Sequence, residues 1–296
     1  MMSLENFIKK RYEGYAEKFI PLAVSHITQL WENYKELADR HFLEEFTSVQ
    51  PGKFQQRYWE MLLAQHFRSL GYIPTSADEG PDLKMEMDGV PVWIEAVAPL
   101  PCETIKQYHK EMECDGAAFS PSNAYSLRYT QAFKDKLDKI NKYIERGIIN
   151  LNTDAVIIAI NSGNLGLYCG NGFDGKTRYP FIVDITYGVG SYYGVIDNVT
   201  GALVREGVET ELHLKKTADV SVPKAYFRDG SANIISAVIG SDAAPETAVS
   251  RPYAFHAVHN MSANIKLPLG KLGCTQEHFV DSHKKVSTID YSVRAA

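Results

Sequence analysis

The dipeptide Asp88-Gly89 constrains this chain more than any other feature. It sits between two alternating runs in the segment GPDLKMEMDGVPVWIEAV, residues 80–97. Asp-Gly in that setting specifies a β-hairpin closed by a two-residue type I′ loop, whose twist matches that of the flanking strands. Such a loop fixes the register: Met87 must pair with Val90, Met85 with Val92 and Leu83 with Ile94. One face then carries Leu83, Met85, Met87, Val90, Val92, Ile94 and Ala96, all apolar. The other carries Asp82, Lys84, Glu86, Pro91, Trp93 and Glu95.

Counting one rung further places Asp82 opposite Glu95, on the face away from the apolar surface. Directly opposed residues have Cβ atoms about 4.5–5.5 Å apart, and like charges there repel. A bound cation, Lys84, a raised carboxyl pKa or solvent would each offset the repulsion. Two hard oxygen ligands so placed suit Mg²⁺, which takes one or two carboxylates plus water and substrate phosphate. An exposed polar face would also accommodate the pair. Glu60 tips this balance. It belongs to an amphipathic helix predicted over residues 53–70, on the stripe of Leu63, Ala64 and Phe67 at i+3, i+4 and i+7. A carboxylate on an inward stripe needs a partner, so Glu60, Asp82 and Glu95 are expected to form an acidic cluster around a metal.

Glu60 on a helix, Gly80-Pro81-Asp82 opening a strand, and Trp93-Ile94-Glu95-Ala96-Val97 in the next strand together resemble the PD-(D/E)xK nuclease superfamily. The resemblance covers residues 54–160, in the order helix, hairpin, helix, strand. Stretches 235–239 and 258–260 are similar to distal strands of some members. It implies a restriction-endonuclease-like α/β fold, a mixed sheet flanked by helices. It also implies a Mg²⁺- or Mn²⁺-dependent nuclease that hydrolyses phosphodiester bonds in DNA, with Asp82 and Glu95 as metal ligands and Glu60 as a further one. A homodimer is common in such enzymes.

One position departs from the pattern. The family's lysine, two residues after the second acidic residue, falls at Val97. That lysine positions or activates the attacking water, so the departure concerns catalysis rather than fold. Members of the superfamily move or replace it. The candidates here are Lys84, on the same hairpin face as the acidic pair, and Lys136 or Arg128 on a later helix. Lys136 borders that helix's apolar stripe, between Phe133 and Ile140. A catalytically inactive nuclease-fold protein with a nucleic-acid or protein binding role is the alternative.

The remaining sequence sets the frame. The chain has 296 residues, 45% hydrophobic and 23% charged, with a net charge of −5. That balance argues against coating nucleic acid by bulk charge and leaves room for a local basic groove. No apolar run approaches the roughly 18 residues of a membrane span, and MMSLENFIKKRYEG lacks the features of a signal peptide, so the expected compartment is cytoplasmic. The cysteines Cys102, Cys114, Cys169 and Cys274 form no C-x-x-C pair and read as reduced thiols. Residues 1–50 read as an N-terminal helical extension broken at Pro21, 51–272 as the α/β domain, and 273–296 as a polar, peripheral tail. Residues 99–121 read as irregular, because of Pro99, Pro101, Gly116 and Pro121. A long helix is expected over 122–146, capped by Ser122 and stopped by Gly147. Strands are expected at 155–160, 181–186, 192–196, 202–205, 234–239 and 253–259.

Two other patterns invite chemistry. Residues 170–177, GNGFDGKT, fit the P-loop pattern G-x-x-x-x-G-K-[ST]. A P-loop needs a helix beginning at Lys176, whereas Pro180 and the β-branched run after it read as a strand, so a Gly-rich surface hairpin is the better account. His256 and His259, three apart in an expected strand, should point to opposite faces and not chelate together.

Overall fold

Strand β3 (Ala155–Asn161) is buried at every position and shows how the chain is layered. Ala155, Ile157 and Ala159 enter one apolar cluster, while Val156, Ile158 and Ile160 enter another on the opposite face. The period of two divides a continuous apolar run between two helical layers. The computed structural model describes residues 3–76, 79–116, 118, 120–166, 179–249, 253–282 and 285–292.

One layer is built from α1 (Leu4–Arg11), α2 (Phe19–Tyr34), α3 (Phe42–Phe46) and α4 (Lys53–Ser69). The hairpin strands β1 (Leu83–Met87) and β2 (Val90–Val97) follow, then α5 (Glu103–Asp115) and α6 (Ser122–Glu145) on the other face. After β3 come α7 (Phe181–Tyr187), the hairpin β4 (Val189–Ile196) and β5 (Leu203–Thr210), and the small pair β6 (His213–Lys215) and β7 (Ser221–Pro223). The chain closes with β8 (Ala237–Ser241), α8 (Pro245–Ala248), β9 (His256–His259), β10 (Gln276–Val280) and β11 (Val286–Asp290). The main sheet has seven strands in the order β1-β2-β3-β8-β9-β10-β11, mixed in direction. The protein is thus an α/β fold with a large mixed sheet between helical layers, and no described helix is long and apolar enough to cross a membrane.

The hairpin register is as expected: Leu83 pairs with Ile94, Met85 with Val92 and Met87 with Val90. Asp88 and Gly89 both take positive φ, 51° and 84°, as a type I′ loop requires. The two long helices also lie close to where their stripes put them, with Gly147 left-handed after α6, but Ser122 is the first residue of α6 and not its cap: Pro121 holds the N-cap position and no side chain caps the helix.

Several expectations are corrected. Residues 181–186 are helix α7, not a strand. All seven of its residues are buried, so no helical stripe is visible in the sequence. Pro180 at its start and left-handed Gly188 at its end bracket it, and Thr186 turns its hydroxyl onto the Ile182 carbonyl, 2.6 Å away. The strand reading offered against the P-loop therefore falls, although the helix that follows the motif begins at Phe181, after Pro180, and not at Lys176. The motif itself, 170–177, lies outside the described residues. The segment 99–121 is not irregular throughout, because α5 occupies its middle with Ile105 and Tyr108 buried. The prolines and Gly116 that suggested irregularity flank this helix. Pro21 falls within the first turn of α2, where proline is tolerated, and the break comes before Phe19. The N-terminal helices are part of the core and not an appendage, with Ile8, Ile27, Phe42 and Phe46 fully buried beside the sheet. The strands expected at 234–239 and 253–259 begin later, at Ala237 and His256, and the one at 202–205 runs on to Thr210. The tail expected over 273–296 is not peripheral in its described part, since β10 and β11 complete the sheet and Glu277 is fully buried.

His256 and His259 do lie on opposite faces of β9. His259 meets Glu277 at 3.0 Å on one side, and His256 stacks over His278 on the other, ring centroids 6.4 Å apart.

Candidate functional site

The carboxylates are assembled where α4 crosses the end of β2. Gly52 starts α4 in a left-handed conformation, φ 83°, packed so closely that an added Cβ would lie 2.9 Å from Leu100. Gln56 then ties the helix to the strand. Its amide accepts from Ala98 N at 2.8 Å and donates to Ala96 O at 3.2 Å. One turn on, Glu60 lies 3% exposed, accepting from Gln56 Nε2 and from Arg57 Nη1, each at 2.8 Å. Arg57 is itself held by Asp39 and Glu45.

Asp82 stands between Glu60 and Glu95. Its Oδ2 accepts from Ala96 N at 2.7 Å, which seats it at the mouth of the hairpin beside the rung expected for Glu95. Burial first, and then the charge of Asp82, push the Glu60 carboxyl up to about 7, against the pull of Arg57 and Gln56. The same two causes raise Glu95 above the ordinary carboxylate value, against Lys136 and Lys139. The repulsion anticipated from the register therefore falls on both neighbours of Asp82.

Glu95 is fully buried because α6 covers its face of the sheet. Lys136 and Lys139 both donate to Glu95 Oε1 at 2.6 Å, while Oε2 is buried without a partner. Lys136 is 17% exposed and Lys139 43%. Burial works against the Lys139 ammonium, but Glu95 and Asp82 overcome it and hold its pKa above the usual lysine value. Val97 shares the face of Glu95, and its side chain packs against the apolar cluster under α6. The ammonium groups that reach Glu95 come from the helix instead of that strand position.

The structure thus brings Glu60, Asp82, Glu95 and Lys136 together, and leaves Lys84 and Arg128 elsewhere. Lys84 Nζ lies over the Trp93 ring, 4.3 Å from its centroid, and Arg128 Nε donates to Leu100 O at 2.7 Å. Sequence reasoning missed Lys139, Arg57 and Gln56. Helical spacing would have found them: Lys139 is i+3 from Lys136, and Arg57 and Gln56 precede Glu60 by three and four.

A cavity of about 610 Å³ opens onto the Glu60 and Asp82 side of this cluster, with Asp39 and Glu45 also in its lining beside Arg40 and Arg57. Among the described residues no three His, Cys, Asp or Glu side chains converge closely enough to form a ready metal cage. Glu95, whose Oε2 has no partner, and Asp82, whose charge acts on it, are nevertheless two carboxylates, the number Mg²⁺ takes when water and substrate complete its shell.

Fold and site together define an α/β protein with a buried carboxylate–lysine cluster at one end of its hairpin strands. Comparison with protein-family models, with curated proteins and with solved structures finds no match to this chain.

Proposed function

We propose that this chain is a metal-dependent nuclease of the restriction-endonuclease-like, PD-(D/E)xK type, acting on DNA, with the pattern's lysine relocated to α6. One observation carries the reading: Lys136 Nζ lies 2.6 Å from Glu95 Oε1, so the charge missing at Val97 is supplied across the sheet face.

Asp82 and Glu95 would hold Mg²⁺ or Mn²⁺, with Glu60 as a further ligand. The ion, when bound, would lower the pKa of a coordinated water and offset charge on the scissile phosphate. The protein's own part is to hold the carboxylates. Ala96 N fixes Asp82, Gln56 and Arg57 fix Glu60, and the α6 lysines fix Glu95. Lys136 and Lys139 place positive charge where a phosphate or an attacking water would develop negative charge. The overall charge of −5 is compatible with this, since contacts to a phosphate backbone need only local Lys and Arg.

A specific observation favours the second reading, a non-catalytic nuclease fold that binds a partner. Two of the three carboxylates already have cations against them, Arg57 on Glu60 and Lys136 with Lys139 on Glu95, so much of the cluster's charge is offset without a metal. Calorimetry with Mn²⁺, followed by incubation with plasmid and single-stranded DNA, separates the two. The nuclease reading expects metal binding and nicking that both disappear in Asp82→Ala and Glu95→Ala. Wild-type protein that binds no metal even with DNA present would leave the non-catalytic reading.

A further inference from the structure

The N-terminal half of α6 carries a second group of cations, facing a different cavity. This space, about 400 Å³, lies between α6, the start of α5 and the β6–β7 pair. Its volume falls within the roughly 300–1,000 Å³ typical of small-molecule sites. Arg128 and Lys134 enter its lining from α6 and Lys216 from beside β6, and none of its lining residues is a carboxylate. The acidic cavity at Asp82 has the opposite balance.

The three cations are lightly committed. Arg128 donates its Nε to the Leu100 carbonyl, which aims the guanidinium without neutralising it. Lys134 is 3.8 Å from an exposed Asp138, and Lys216 has no ion pair among the described residues. Between them the walls are apolar, from Leu127 and Val222. Two further lining residues, Thr130 and Tyr226, are only 3% and 6% exposed, and neither hydroxyl has a hydrogen-bond partner. Both hydroxyl oxygens are sealed beneath the cavity wall, so the surface offered to a ligand is the cations and the apolar side chains.

We propose that this cavity binds a nucleoside monophosphate, with the phosphate dianion on Arg128, Lys134 and Lys216 and the base against Leu127 and Val222. Arginine suits a phosphate because its fork donates two parallel hydrogen bonds, and clustered cations without a carboxylate select a dianion. The apolar walls suit the faces of a base. The site uses neither Asp82 nor Glu95, and so stands apart from the nuclease reading.

Calorimetry on the full chain with the four common nucleoside 5′-monophosphates, adenosine and inorganic phosphate tests it. At least one nucleotide is expected to bind, and adenosine and phosphate each to bind at least about tenfold more weakly than AMP or its best counterpart. Arg128→Ala with Lys216→Ala, both away from the core, should weaken the nucleotide at least about tenfold, and Asp82→Ala should leave it unchanged. No binding of any nucleotide at about 1 mM overturns the proposal. So does binding indifferent to Arg128 and Lys216, or phosphate binding as tightly as the nucleotide. Loss of binding in Asp82→Ala would place the nucleotide in the acidic cavity and overturn it equally.

Discussion

Two buried carboxylates meet ammonium groups around α6, and they differ in one respect. Asp184 on α7 accepts from Lys224 at 2.5 Å through one oxygen and from Ser126 at 3.0 Å through the other. Lys224, 1% exposed, also reaches Glu211 at 2.9 Å. Glu95 receives both its lysines on one oxygen and leaves the other buried and bare. Burial raises both carboxyls above their ordinary values, so the charge state does not tell them apart. Saturation does. A fully satisfied pair holds two elements together, whereas the Glu95 cluster leaves one buried oxygen unpaired, the oxygen that the nuclease reading proposed above would use.

The largest expected effect tests the structural half. Lys224→Met strands Asp184 in the core and should cost about 3–5 kcal/mol in urea unfolding, the typical loss when a buried pair is broken on one side. Lys136→Met should cost about 1 kcal/mol or less, because Lys139 still reaches Glu95 Oε1. Equal losses would make both pairs structural and remove the distinction.

Next comes the functional half. On the proposed nuclease reading, Lys136→Ala and Lys139→Ala should each slow plasmid nicking about tenfold, and together about a hundredfold or more. A folded Lys224→Met protein, assayed well below its unfolding midpoint, should nick at close to the wild-type rate. Nicking that survives the double lysine variant would leave the α6 lysines outside the chemistry.

The third effect is a pH dependence. Glu60 has its folded-state pKa near 7 against an ordinary 4.5. A carboxyl raised in the folded state favours folding at low pH. Its contribution is complete below about pH 4.5 and is lost as pH rises through 7. Glu60→Gln removes this titration. The variant should therefore gain on wild type between pH 5 and 8, on the order of 2 kcal/mol, read from urea midpoints across that range. A gap that shrinks as pH rises would contradict the charge conflict around Asp82.

What was legible in the sequence follows from how local each signal is. The hairpin register could be counted from Asp88-Gly89 because a two-residue loop leaves no freedom, and it brought Asp82 within electrostatic reach of Glu95 just beyond the last observed rung, Leu83 with Ile94. Helices α4 and α6 showed stripes and stops. By contrast, α7 is buried all round, so its apolar run has no period and its β-branched residues mimic a strand. Strands β10 and β11 looked polar because the sheet buries ionisable residues in pairs, such as His259 with Glu277. At the site, Glu60, Asp82 and Glu95 were readable from spacing. The choice of Lys136 over Lys84 was not, because it depends on α6 covering the outer face of the hairpin. Lys84 instead stays on that face over Trp93.

The smallest effect separates the hairpin's turn from its site. Gly89 has φ 84°, and an added Cβ there would meet nothing within 4 Å. Gly89→Ala should therefore cost only the left-handed backbone strain, about 1 kcal/mol, and, on the proposed nuclease reading, leave metal binding and nicking unchanged. Gly52 has nearly the same φ, 83°, but its added Cβ would lie 2.9 Å from Leu100, next to the start of α4. Gly52→Ala carries the same strain plus displacement of the Leu100 side chain and the helix that presents Gln56 and Glu60. The two glycines thus share a conformational cost and differ in what they touch. If Gly52→Ala changes metal affinity and Gly89→Ala does not, the site depends on where α4 begins. If both leave it unchanged, the clamp of Gln56 on Ala96 and Ala98 is sufficient by itself to hold Glu60 in place.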